Sequence, residues 1–154
     1  METDFVQLIH SKMEPGLLPV LQQTARWRHR EWKTVFVCGN FEEIDSRSLN
    51  RLTEAANLGG RLIVAVRTDN LTRKIYRRKP DRKQEDRALP LASMTFVSIV
   101  VYLNEEHPAE LIRQLHPDVT VDFPEEIRMH PVAHIRRRIN EHLKIRNIRS
   151  TNIT

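Results

Sequence analysis

A chain of 154 residues, 40% hydrophobic and 29% charged, has the size and composition of one globular domain with a single substantial core. Its longest apolar runs, "RLIVAV" and "FVSIVVYL", are strand-sized and fall well short of the ~20 residues of a membrane span. The N-terminus lacks the basic and apolar regions of a secretory signal, and the lone Cys38 excludes an internal disulfide, as fits a cytoplasmic protein.

The net charge of +5 favours an anionic partner: a nucleotide phosphate, a nucleic acid or an acidic surface. The cations concentrate in "RWRHREWK" (26–33), "RKIYRRKPDRK" (73–83) and "RRRINEHLKIRNIR" (136–149). Taken singly, each cluster reads as a solvated face.

In chain order, Leu17, Leu18, Leu21 and Ala25 fall at helical spacing and predict a first helix over 16–31. "TVFVC" follows as a short buried strand ending at Gly39. Ser46 or Ser48 is positioned to cap a second helix, whose Leu49, Leu52, Ala55, Ala56 and Leu58 build an apolar face. "LGG" stops that helix, because glycine tolerates the left-handed conformation of a helix C-terminus. "RLIVAV" has no polar alternation and reads as a strand covered on both faces.

From Asn70 to Asp86 the polar, basic composition predicts a loop, mobile where Arg and Lys outnumber apolar anchors between Arg73 and Lys83. A short helix spans Arg87 to Met94, with Pro90 limiting it or marking its first turn. "FVSIVVYL" is a third strand, "PAELIRQLH" a helix and "PDVTVDF" a fourth strand. Val132, Ile135, Ile139 and Leu143 form the stripe of a last helix opened by Pro131. The expected organisation is an N-terminal helical segment (1–32), an α/β domain (33–143) and a basic tail (144–154).

Strands alternating with helices predict a Rossmann-like three-layer α/β/α fold around a parallel five-stranded sheet, with "TVFVC" central. In such folds ligands bind beyond the carboxyl ends of the strands. "GNFEEIDSRS" and "RTDNLTRK" would therefore face a common crevice.

The run "TVFVCGNFEEIDSRSLNRLTEAANLGGRLIVAVRTDNLTRKI" resembles the cytidylyltransferase-like nucleotidyltransferases, the group of glycerol-3-phosphate cytidylyltransferase and the adenylyltransferase half of ADP-heptose synthase. Their hallmark is a strand followed by G-x-F-D, two residues, and H-x-G-H opening a helix. Gly39 and Phe41 stand in the family positions, and Glu42 replaces the usual Asp. Gly59, Arg61, Leu62, Val64, Asp69, Arg87, Asn104, Glu105, Pro108, Pro117 and Asp118 also fall in register, so that the resemblance covers roughly residues 33 to 121.

The motif that carries the family's chemistry is altered. The resemblance aligns H-x-G-H with Asp45, Ser46, Arg47 and Ser48. In the family the histidines hold phosphates and stabilise charge during transfer, and the glycine admits backbone to phosphate. Asp45 brings an anion there instead, Ser48 offers a hydroxyl without charge, and Arg47 brings bulk. The family's lysine beyond the second strand falls near Tyr76, and the hydroxyl-bearing turn before the last helix corresponds to Pro131 and Val132.

The catalytic residues are therefore unassigned, with Asp45, Arg47 and Ser48 at the degenerate motif. The candidate nucleotide-binding residues are Gly39, Asn40, Phe41, Lys74, Arg77 and Arg87. Glu42, Glu43 and Asp45 read as solvated acids rather than a Mg²⁺ site, so no metal site is assigned; Mg²⁺ would enter only with a nucleoside triphosphate. His107, His116, His130 and His134 read as surface or cap residues, Cys38 as a small buried hydrophobe, and Trp27 and Trp32 as helix packing.

Three functions are open at this point. The first is a catalytically impaired relative acting as a binding or assembly partner, with the homodimer that the resemblance implies. The second is an active divergent enzyme joining CTP or ATP to a phosphorylated sugar or alcohol, with Arg47, Lys74, Arg77 and Arg87 stabilising phosphate charge. The third is a nucleic-acid-binding protein acting through the basic segments.

Overall fold

The computed structural model describes residues 4–13 and 16–121. Their element order is α1 (Phe5–Ser11), α2 (Leu17–His29), β1 (Thr34–Gly39), α3 (Ser46–Asn57), β2 (Arg61–Arg67), α4 (Asp69–Tyr76), α5 (Gln84–Ser93), β3 (Ile99–Leu103), α6 (Ala109–Leu115) and β4 (Val119–Val121). The expected last helix from Pro131 and the basic tail lie outside the described residues.

Four described strands, all parallel, lie in the order β3-β2-β1-β4. β1 is interior, as expected, and every one of its residues is buried. The described residues supply four of the five strands expected. The chain runs outward from β1 to β3 and returns to the other side of β1 for β4, which puts the topological switch point between β1 and β4.

Alternation along the strands divides the core in two. Phe36, Cys38, Ile63, Ala65, Ile99 and Val101 face one layer, where they meet Val20 and Trp27 of α2, Leu71 and Ile75 of α4, and Leu111 and Leu115 of α6. Val35, Val37, Leu62, Val64, Val66 and Val100 face the other, with Leu52 and Ala55 of α3 and Ala88, Leu91 and Ala92 of α5. Cys38 is the small buried residue expected. The outer edge of β3 is covered: Val100 donates its backbone N–H to the carbonyl of Lys12 at 2.7 Å, just after α1.

Several expectations change. The loop predicted over 70–86 contains α4 and the start of α5. Thr68 caps α4 by accepting the Leu71 N–H at 3.2 Å, and Leu71, Thr72 and Ile75 turn one helical face to the core. Two apolar side chains and a buried threonine suffice for two turns, and the basic residues occupy the outer face. Because α5 begins at Gln84, Pro90 lies inside it rather than at its first turn.

α3 is capped by Asp45 rather than by Ser46 or Ser48. Its C-terminus uses no left-handed glycine, since no described glycine has positive φ. Gly59 serves close approach instead: a Cβ there would lie 2.8 Å from the Lys33 carbonyl oxygen and 2.9 Å from Val35 Cγ2.

Candidate functional site

At the carboxyl end of β1 the chain turns through Gly39, Asn40 and Phe41. The left-handed residue of this turn is Phe41 (φ 54°), not the glycine. A left-handed backbone at a non-glycine residue costs about 1–2 kcal/mol. Burial of the phenyl ring, which packs with Val37 and Leu52, returns about 1.5–3 kcal/mol and outweighs it.

Asn40 is buried beside this turn and anchors a polar knot. Its side-chain oxygen accepts from Thr72 Oγ1 at 2.6 Å and from Arg87 Nη1 at 3.1 Å, and its carbonyl accepts from Arg87 Nη1 at 2.6 Å. Arg87 is fully buried and continues outward: Nη2 donates to Asp69 Oδ1 at 2.7 Å, and Nε donates to the Arg82 carbonyl at 3.0 Å. Gln84 Oε1 accepts the Asp69 N–H at 3.0 Å. One guanidinium thus joins the segment after β1, the first turn of α4 and the entry to α5. A buried cation is tolerated because its donors have fixed acceptors and a carboxylate.

Glu42 gathers the basic segment that follows α4. Arg78 reaches both of its carboxylate oxygens, at 3.0 and 2.5 Å, and Arg82 donates to the Glu42 carbonyl oxygen. Burial pushes the Glu42 carboxyl up. The hydrogen bond and charge of Arg78, with the Asp81 N–H and the charge of Arg87, outweigh that and bring it below its ordinary value. The segment expected to be a mobile loop is tied down by these contacts.

Three residues on, Asp45 Oδ1 accepts the Ser48 N–H at 2.8 Å and closes the N-terminus of α3. The Ser48 N–H and hydroxyl hold the Asp45 carboxyl below its ordinary value, and Arg47 adds its charge and backbone N–H. A helix N-terminus presents unpaired N–H groups and the positive end of the dipole, which is where phosphates bind. Here a side-chain carboxylate of the same chain takes that place.

Of the other candidates, Lys74 pairs with Glu106 beyond β3 at 3.1 Å, both side chains being exposed. Arg77 is the left-handed C-cap of α4 (φ 56°) and donates its backbone N–H to the Arg73 carbonyl. Gly39, Asn40, Phe41 and Arg87 are brought together, whereas Lys74 and Arg77 stand on the far turn of α4. Among the described residues no three His, Cys, Asp or Glu side chains converge as metal ligands, and Glu42 and Asp45 each have another partner. Sequence reasoning missed Thr72, Arg78 and Arg82. Thr72 was recoverable from the Thr68 cap and the Leu71–Ile75 spacing; the two arginines carried no local signal.

No profile of a known protein family matches the chain. The bifunctional protein HldE of Gluconobacter oxydans is 34% identical over 128 residues, covering 78% of this chain and 27% of its own length. That of Helicobacter pylori strain HPAG1 is 32% identical over 117 residues (75% and 25%), and that of Wolinella succinogenes 39% over 103 residues (66% and 22%). Among solved structures, the lipopolysaccharide core biosynthesis protein from Thermoplasma volcanium superposes with a TM-score of 0.55. It is 20% identical and the match covers 71% of this chain and 88% of that one, which shows the shared fold.

The chain is similar to the cytidylyltransferase-like family.

This cytidylyltransferase-like chain spans about a quarter of the length of the curated relatives it matches. Among its described residues no helix is long and apolar enough to cross a membrane.

Proposed function

We propose that this cytidylyltransferase-like domain has lost nucleotidyl transfer and acts in the cytoplasm as a binding or assembly partner, as a homodimer. The observation that carries this reading is the Asp45–Ser48 cap. A nucleotide phosphate approaching the N-terminus of α3 meets a carboxylate already bonded to the helix N–H, and must displace it or lie against a like charge. The Glu42–Arg78 pair supports the same reading, because this exposed cation beside the turn already has a carboxylate partner.

The alternative is an active enzyme that joins CTP or ATP to a phosphorylated sugar or alcohol and releases pyrophosphate, with Mg²⁺ accompanying the nucleotide. It draws on the exposed cations Arg47, Lys74 and Arg77, all on segments that follow β1 and β2.

Calorimetric titration with CTP and with ATP, with and without Mg²⁺, separates the two. No binding up to millimolar concentration is expected, whereas micromolar binding with pyrophosphate release overturns the proposal. The triple variant Asp45→His, Arg47→Gly, Ser48→His removes the carboxylate and reopens the backbone, and is expected to gain measurable nucleotide affinity. If the unaltered protein transfers a nucleotidyl group and the triple variant does not, Asp45 and Arg47 belong to a rebuilt active site. Sedimentation velocity tests the dimer.

A further inference from the structure

The turn from α2 into β1 carries a constellation that the crevice does not use, at the opposite, amino end of the sheet. α2 closes on paired backbone hydrogen bonds: the Trp32 N–H donates to the Trp27 carbonyl and the Glu31 N–H to the Arg28 carbonyl, both at 2.9 Å. The left-handed position of such a closure ordinarily holds glycine, and here it is Glu31 (φ 58°). A costly backbone thus fixes the place of Trp32, which keeps 36% of its surface exposed.

Guanidinium groups surround that indole. Arg61 lies 4.0 Å from the Trp32 ring centroid and 5.8 Å from that of Trp27, and Arg30 lies 5.1 Å from that of Trp32. The Arg61 Nε–H is buried without a hydrogen-bond partner among the described residues. Arg28 lines the same concavity as Trp32, and its Nη2 donates to the Leu115 carbonyl at 3.2 Å.

Charge is unbalanced at this end. Arg26, Arg28, Arg30, Lys33 and Arg61 form no ion pair among the described residues, whereas Lys74, Arg78, Arg87 and Arg113 each hold a carboxylate. The acids beside the turn are Glu31 and Asp118, and the Thr34 N–H and hydroxyl already engage Asp118 at 2.7 and 3.1 Å. The surplus of cations calls for an anionic partner, and the indole decides its kind. Cation–π stacking leaves the edge N–H groups of a guanidinium available, and the guanidinium fork matches a phosphate bidentately. Guanidinium and indole planes also stack on unpaired bases. An acidic peptide answers the charges and leaves that platform unused, and a duplex keeps its bases stacked on one another.

We propose that the α2–β1 turn binds a single-stranded nucleic acid, its phosphates on Arg28, Arg30 and Arg61 and a base on the exposed guanidinium–indole platform at Trp32. This surface acts whether or not the crevice has lost nucleotidyl transfer.

The full chain is titrated into labelled oligouridine and oligothymidine of about 12 nucleotides, within the usual range of single-strand sites. A duplex of the same length and polyglutamate are the comparisons, read by anisotropy and tryptophan fluorescence over a range of salt. A single strand is expected to bind more tightly than either comparison and to quench the tryptophan fluorescence. Trp32→Leu should weaken it about tenfold, the scale of one lost stacked base. Arg28→Gln and Arg30→Gln, both at exposed positions, should each reduce the slope of log affinity on log salt by about 0.7. Arg78→Gln, at the other end of the sheet, should leave affinity unchanged, and excess CTP should not displace the strand.

The proposal is overturned by absence of binding at low salt, by indifference to Trp32→Leu and both arginine variants, or by displacement with CTP. Equal or tighter binding of polyglutamate overturns it in favour of an acidic protein, and equal binding of the duplex or equal loss on Arg78→Gln in favour of diffuse charge. Circular dichroism verifies that each variant is folded. The Arg30 side chain makes only a ring contact among the described residues, so Arg30→Gln keeps the test decisive where Trp32→Leu fails to fold.

Discussion

Arg87 Nη1 donates at 2.6 Å to the carbonyl oxygen of Asn40, 47 residues earlier in the chain. The same guanidinium holds Asp69 and the Arg82 carbonyl, so it fixes the turn after β1 to both helices beyond β2. Its charge is wholly withdrawn from water. It shapes the crevice by placing Asn40 and Asp69.

Replacing Arg87 should therefore be costly. Arg87→Met leaves the Asn40 carbonyl and Asp69 without their donor, and a loss of about 3–5 kcal/mol is expected on breaking such a buried pair. Arg87→Lys keeps the charge but not the fork, and should also lose stability. Urea denaturation measures both; an unchanged midpoint for Arg87→Met contradicts the anchoring role.

Glu42 makes stability pH-dependent in a defined direction. Its folded value is lowered, so its stabilising contribution is complete above the ordinary carboxyl range and is lost as pH falls through the folded value. The stability gap between the protein and its Glu42→Gln variant should be level near neutral pH and close in acid. At neutral pH, trypsin should cleave after Arg78 severalfold faster in Glu42→Gln, because Arg78 loses its carboxylate partner, whereas Arg82 keeps the backbone carbonyl of residue 42.

Asp45 separates capping from charge. Asp45→Ala removes the acceptor for the Ser48 N–H and should lower Tm, whereas Asp45→Asn keeps a good cap and should stay close to the unaltered protein. The lowered carboxyl adds the same sign as at Glu42, with stability lost as acid protonates Asp45. Thermal unfolding across pH reads both effects, and the Asn variant should lack this acid dependence.

The adjacent glycines should respond in opposite directions. Gly59→Ala drives a Cβ against the Lys33 carbonyl and Val35, and overpacking of this kind costs about 1–3 kcal/mol. At Gly60 an added Cβ meets nothing within 4 Å and φ is not positive. Gly60→Ala should be neutral or stabilise by about 0.4–1 kcal/mol through the unfolded chain. Equal losses at both positions would contradict the close-approach role of Gly59.

The features with a local cause were legible in the chain alone. "TVFVC" and "RLIVAV" have no polar phase, so burial on both faces and an α/β layering followed from them, and β1 is interior with all its residues buried. The ordered matches around Gly39, Phe41, Gly59 and Asp69 were enough to find the family. The tertiary structure decided what depends on residues far apart in the chain. α4 was obscured by its basic outer face, since only contact with the sheet reveals that Leu71, Thr72 and Ile75 form the inner one. Glu42 meets Arg78 across 36 residues, and Arg87 meets Asn40 across 47. Charge pairing has no sequence period, so a run of arginines and lysines reads as a solvated loop until the parallel topology brings the ends of β1 and β2 side by side and supplies the carboxylate and carbonyl oxygens that hold it.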